Sequence, residues 1–192
     1  MSEAAIRIRR LPIRSRDSQR GAAILPQRID HLSQRLTEQG EATLAFFRTL
    51  TPDQWRQPVY TTGPQWDVRQ VLCHFVSAER AFFAIFEAAL RGGQDAPESF
   101  DIDAFNAREV GAMDGLTPAE LLARFEAARA ATLTFVQRLD EADLDRQAWH
   151  PWFGWDKLEK FLKLVYRHNL IHERDVRKAL QTGEPVPPAE DG

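Results

Sequence analysis

Three histidines form the pattern in this sequence best suited to chemistry. His168 and His172 lie four residues apart in an amphipathic run from Phe161 to Leu180, and His74 lies in an earlier run of the same kind. On an α-helix, residues i and i+4 leave from one face, one above the other, so both imidazoles can reach a single cation without bending the backbone. A third ligand must come from elsewhere. His74 is the best candidate, because Val71, Ala78 and Phe82 mark its stripe as the core-facing one. Three neutral imidazoles leave a fourth position open, which suits zinc or nickel holding a water or a substrate atom. The competing reading of each histidine is a hydrogen-bonded core residue, and spacing alone does not choose between the two.

Two better-defined metal motifs are excluded. A zinc-protease HExxH helix needs glutamate directly after its first histidine, and Asn169 stands there. A ferritin-type di-iron bundle needs glutamate three residues before its histidines, where this chain has Val165 and Asn169. Asp175, three residues after His172, can accept a hydrogen bond from a ligand imidazole or pair with Lys178. Glu173 and Arg174 are expected to point away from the histidine stripe into solvent. Cys73 adjoins His74, but neighbours on a helix diverge by about 100°, so it reads as a buried structural thiol.

The elements that must position these residues are helical. With 192 residues, 43% of them hydrophobic, the chain reads as a globular unit able to bury a core without disulfides. A first long helix follows Pro26, with Ile29, Leu32, Leu36, Leu44, Phe47 and Leu50 on its apolar stripe and Gly40 interrupting its middle. Thr51-Pro52-Asp53-Gln54 opens a short helical turn with a capping box. Asp67 caps a second helix, with Gln70 at its third position, running through Ala89 or Leu90 to Gly92-Gly93. Thr117-Pro118-Ala119-Glu120 starts a third through about Leu139, and a fourth runs from about Asp156 to Leu180. No strand pattern is evident. The prediction is an all-α four-helix bundle over 26–183, with a long crossover between helices 2 and 3.

Outside the helices, three stretches stand out. Residues 1–25 form a basic arm carrying Arg7, Arg9, Arg10, Arg14, Arg16 and Arg20, read as a flexible terminus or a strap, and 184–192 form a Pro-rich tail. The crossover between Gly92 and Leu116 offers Asp103, Asn106 and Arg108 as substrate contacts, since connections of this length often shape a binding site. The cluster Trp149-His150-Pro151-Trp152-Phe153-Gly154-Trp155 cannot be regular helix; its indoles, Trp152 among them, can line a pocket mouth or pack under the bundle end. His150 itself reads as a surface or capping residue. A net charge of −3 gives no global attraction to nucleic acid or anionic membrane. No apolar run is long enough to span a bilayer, no leader is evident, and the single cysteine fits a reducing compartment; a cytoplasmic location is expected.

Two stretches together resemble the DinB-like (DinB/YfiT) metalloprotein superfamily, which includes mycothiol-dependent maleylpyruvate isomerases and related thiol transferases. Trp66-Asp67-Val68-Arg69-Gln70-Val71-Leu72-Cys73-His74-Phe75, followed by Ser77-Ala78-Glu79-Arg80, is similar to that family's second helix. His168-Asn169-Leu170-Ile171-His172-Glu173-Arg174-Asp175 is similar to its last, where two ligands lie four apart. The resemblance covers about residues 27 to 182. It implies a DinB-like bundle, His74, His168 and His172 as ligands of zinc or nickel with an open position, and often a homodimer. It departs at Asp175, where the family frequently has glutamine, and in the arm and the tryptophan cluster. The implied activity is a thiol S-transferase or hydrolase of small electrophiles in stress or detoxification, with a metal-bound water or thiolate as nucleophile. A low-molecular-weight thiol would dock near Arg69, Arg80 and Arg108. The alternative class is a non-catalytic bundle that binds a metal or a small molecule.

Overall fold

The computed structural model describes residues 27–94 and 96–188. The basic arm expected over 1–25 and the last four residues of the tail lie outside the described residues. Four long helices form the bundle, α1 (Arg28–Arg48), α2 (Val68–Leu90), α4 (Pro118–Val136) and α5 (Leu158–Thr182), with α3 (Ile102–Gly111) inside the crossover. The architecture is the expected four-helix bundle with a long crossover between its second and third long helices.

The helix starts follow the capping chemistry. Asp67 Oδ1 accepts the Gln70 amide at 2.7 Å while Gln70 Oε1 accepts that of Asp67 at 3.0 Å, so two amides at the head of α2 are satisfied reciprocally. Thr117 and Glu120 do the same for α4, with Pro118 in its first turn. Thr51 and Gln54 exchange the equivalent bonds around a single 3-10 turn, Gln54–Arg56. Gly183, at φ +75°, ends α5 in the left-handed conformation that glycine adopts without a Cβ clash.

One expectation fails outright: the chain does contain strands. β1 (Gln147–His150) and β2 (Gly154–Lys157) form an antiparallel hairpin in which Trp149 faces Trp155 and His150 faces Gly154. With only four residues per strand, there is too little alternation for a period-two pattern to stand out. The hairpin also explains the later start of α5, since Asp156 and Lys157 are spent on pairing with Ala148 and Gln147. At the other end, α4 stops at Val136, where Arg138 and Leu139 donate to carbonyls three residues back, tightening the final turn.

Along the bundle the core is divided. One apolar cluster holds Phe47, Trp55, Val71, Phe75, Phe125 and Val176. The other holds Leu36, Phe82, Phe86, Val136, Phe161 and Val165. Between them lies a buried polar belt drawn from all four long helices, including Gln39, Thr43, His74, Glu79, Arg129, Thr132, Asn169 and Glu173. Arg129 donates from Nε to Glu79 at 2.7 Å and from Nη1 to the Leu36 carbonyl at 2.7 Å and Gln39 Oε1 at 2.9 Å. Gln39 Nε2 donates to Thr43, whose hydroxyl donates to Glu173 Oε2 at 2.7 Å. Glu173 is therefore buried and bonded, not solvated as its sequence position suggested, while its neighbour Arg174 is exposed as expected.

Gly40 belongs to this belt. A Cβ there would lie 3.1 Å from both Cγ and Nη1 of Arg129, whose guanidinium is fixed by its three acceptors. The helix-weakening glycine makes room for the buried cation. Alanine at a helix-interior glycine ordinarily adds about 1 kcal/mol. Gly40→Ala should instead lower stability by about 1–2 kcal/mol through overpacking, read as a lower Tm and denaturant midpoint. An unchanged or raised Tm would remove this role for Gly40.

Candidate metal centre

α2 and α5 pack side by side and bring the three histidines together. Nε2 of His168 stands 2.9 Å from Nε2 of His74 and 3.2 Å from Nε2 of His172. The rings lie at 63°, 78° and 89° to one another, so they meet edge to face with their Nε2 atoms turned inward. In a tetrahedral zinc site with Zn–N of about 2.0–2.1 Å, neighbouring ligand nitrogens are about 3.3 Å apart. The observed separations are close to that value. His74 is buried, whereas His168 and His172 are partly buried.

The protonation states suit ligands. Burial holds His74 well below the ordinary histidine pKa, aided by His168 and His172, and burial followed by His168 does the same for His172. Both rings are thus neutral, the form that binds a metal. A neutral imidazole carries one N–H, so the three Nε2 atoms cannot satisfy one another by ordinary hydrogen bonds: His168 Nε2 faces two partners with one proton or one lone pair. A cation accepts all three lone pairs at once, and the donor set fits zinc or nickel.

The other nitrogens fix the rings. Tyr60 Oη is 2.6 Å from Nδ1 of His172, and Asn169 Oδ1 is 3.3 Å from Nδ1 of His168. His74 Nδ1 has no hydrogen-bond partner among the described residues, and its ring is held by packing against Trp66 at 4.7 Å. Sequence reading missed Tyr60 and Asn169 as parts of the site. Tyr60 is placed by long-range pairing, since Val186 of the tail bridges to it, Val186 N–H donates to Val59 and Thr61 N–H donates back to Val186. No local spacing could reveal that. Asn169 was considered only as an obstacle to other motifs.

The remaining candidates are dispersed. Asp175 is buried with Arg174 Nε 3.7 Å away, while the Nδ1 bond of His172 goes to Tyr60. Arg69 donates to the Met113 carbonyl and to Asp114, tying the crossover to α2. Arg80 is exposed on α2. Asp103, Asn106 and Arg108 lie on α3, where Arg108 bonds Glu109 and covers the Phe105 ring. Trp152 is at the hairpin tip, 62% exposed. His150, expected at the surface, is buried between Phe82 and Phe161 with its ring stacked on both, and its Nδ1 accepts the Trp152 amide at 3.2 Å. The thiol of Cys73 is buried as expected, and burial pushes it up to about 11.

Residues 36–177 match the family model of the mycothiol maleylpyruvate isomerase N-terminal domain. No curated protein matches the chain. The chain belongs to that family, a member of the DinB-like superfamily identified above from its two histidine helices. Among the described residues no helix is long and apolar enough to cross a membrane.

Two outcomes follow from this geometry. Tyr60→Phe should weaken zinc binding about 10- to 100-fold without unfolding the protein, since it removes the group orienting His172. Competitive chelator titration measures this; unchanged affinity would show that the hydroxyl does not position the ring. The second concerns pH in metal-free protein. His74 and His172 have depressed pKa values, and burial and then His168 hold His150 down at about 4. Their folded states therefore bind fewer protons than the unfolded chain below its histidine pKa. Stability should be full above about pH 7 and fall as pH drops from there toward 4. The depressed carboxylates, such as Asp145 at about 2, act only at lower pH. A Tm constant over that window would contradict the shifts.

Proposed function

We propose that His74, His168 and His172 hold one zinc or nickel ion and that the protein is a metal-dependent enzyme, a thiol S-transferase or hydrolase acting on small electrophiles in detoxification. The observation that carries the reading is the inward convergence of three Nε2 atoms, with His168 Nε2 2.9 and 3.2 Å from those of His74 and His172. When bound, the ion supplies an electrophilic centre that lowers the pKa of a water or thiol in its open position. The chain's own residues do the rest. Tyr60 and Asn169 hold two of the rings in orientation, and Trp66 covers the third. Phe75 and Phe82, each with its ring about 6 Å from His168, keep water out of the apolar side of the cluster.

The family's description supports a low-molecular-weight thiol of the mycothiol class as co-substrate. The electrophile is a small molecule; nothing in the net charge of −3 favours nucleic acid. We further propose a homodimer in the cytoplasm, where a lone thiol stays reduced.

Cobalt(II) substitution tests the thiol version. Adding N-acetylcysteine to cobalt-loaded protein should produce a saturable thiolate-to-cobalt charge-transfer band in the near-ultraviolet, absent from the His74→Ala, His172→Ala double variant. Failure to retain cobalt would remove the metal reading, and retention without the band would remove the thiol.

A further inference from the structure

Two aromatic rings that touch the histidines come from one short connection. Tyr60 bonds Nδ1 of His172 and Trp66 packs on His74, and both rings are buried although residues 61–65 between them are exposed. On one edge the segment 57–61 is tied locally, by Val59 N–H to the Trp66 carbonyl at 2.8 Å and by Val68 N–H to the Gln57 carbonyl at 3.0 Å. On its other edge it is tied to the far end of the chain. Val186 N–H donates to the Val59 carbonyl at 2.8 Å, Thr61 N–H donates to the Val186 carbonyl at 3.0 Å, and Gln57 Nε2 donates to the Gly183 carbonyl at 3.0 Å. Val186 thus brackets Tyr60 with one bond to each of its neighbours. The sequence Glu184-Pro185-Val186-Pro187-Pro188 suits a detachable strap. Glu184, Val186 and Pro187 each precede a proline, which confines them to extended backbone, so the segment keeps its shape on leaving and loses little entropy on returning. Val186 is its one buried residue, at 5% exposure, while Glu184 and the prolines are exposed. A segment held by one buried side chain and three hydrogen bonds to the connection opens far more readily than the core helices.

We infer that residues 183–188 are a latch on the ion site, and that Val186 is a positioning residue acting on the ion through Tyr60 and His172. The inference rests on the reading of the three histidines as that site. With the latch seated, Tyr60 Oη lies 2.6 Å from Nδ1 of His172, and the ring presents Nε2 to the other two histidines. With the latch released, the segment 57–61 loses the pairing on one edge, the tyrosine hydroxyl loses its fixed place, and His172 loses the bond that sets its orientation. The ring on α2 is spared, because Trp66 keeps its bond from Val59 and Asp67 keeps its capping box. Release therefore takes orientation from one ligand of the three and loosens the ion without dismantling the bundle. A partner that grips residues 184–188, or a protease that cuts them, would change ion retention from outside the site.

The test compares the full-length protein with a chain ended after Glu184, which keeps Gly183 at the end of α5, and with Val186→Asp, which puts a charge in the buried position. Val186→Ile is the conservative control. Two quantities are read: zinc affinity by competitive chelator titration, and the nitrogen-15 signal of His172 Nδ1 in metal-free protein, which reports the Tyr60 hydrogen bond directly. Both disruptive changes should raise the zinc dissociation constant about 10-fold and move the Nδ1 signal to its position in Tyr60→Phe, while Val186→Ile does neither. On a Tyr60→Phe background, ending the chain after Glu184 should cause no further loss of affinity. Affinity and Nδ1 signal unchanged in both disruptive variants would overturn the latch, as would a loss that persists in full on the Tyr60→Phe background. Full-length protein that holds no zinc would instead overturn the histidine reading, an outcome told apart by an Nδ1 signal that still moves when the tail is disrupted.

Discussion

A chain of hydrogen bonds with one permitted direction fixes the middle of this bundle. Arg129 can only donate, so Gln39 must turn its carbonyl oxygen toward it and its amide nitrogen toward Thr43; the Thr43 proton is then directed to Glu173, which must accept. The chain begins at a guanidinium paired with Glu79 and ends at a carboxylate also bonded by Arg177. It passes from α2 through α4 and α1 to α5. These bonds form together only while the four helices keep their rotations about their own axes, which apolar packing alone leaves loosely defined. Buried groups of this kind cost several kcal/mol when half satisfied, so misregistered packings are strongly disfavoured.

The histidines depend on that constraint. Glu79 lies five residues beyond His74 on α2, and Glu173 directly follows His172 on α5. Clamping those two carboxylates toward α1 and α4 turns the remaining faces of α2 and α5 toward each other, where His74 meets His168 and His172. His74 occupies the same buried polar belt between the two apolar clusters, with His168 and His172 beside it. The second control comes from outside the bundle: the tail, through Val186, holds the loop that delivers Tyr60 to His172. A site assembled this way meets a cation with its donors already aligned.

Much of this was legible in the sequence, for identifiable reasons. The four long helices, the caps at Asp67 and Thr117 and the three convergent histidines all rest on local spacing, which a sequence displays directly. What escaped depends on tertiary pairing. A four-residue strand carries too little alternation to register, so the hairpin and the burial of His150 were invisible. Glu173 looks like a surface residue until Thr43, 130 residues away, is seen opposite it. Gly40 read as a flaw in α1 because its cause, Arg129, sits on another helix.

The central claim is that three histidine nitrogens of this one chain bind a single divalent ion with a position to spare. X-ray absorption at the metal edge of zinc-loaded protein tests it most directly. The account predicts three imidazole nitrogens at about 2.0–2.1 Å plus one further light-atom ligand. A sulfur ligand, a six-coordinate oxygen shell, or a spectrum unchanged when His74 is replaced by alanine would contradict it.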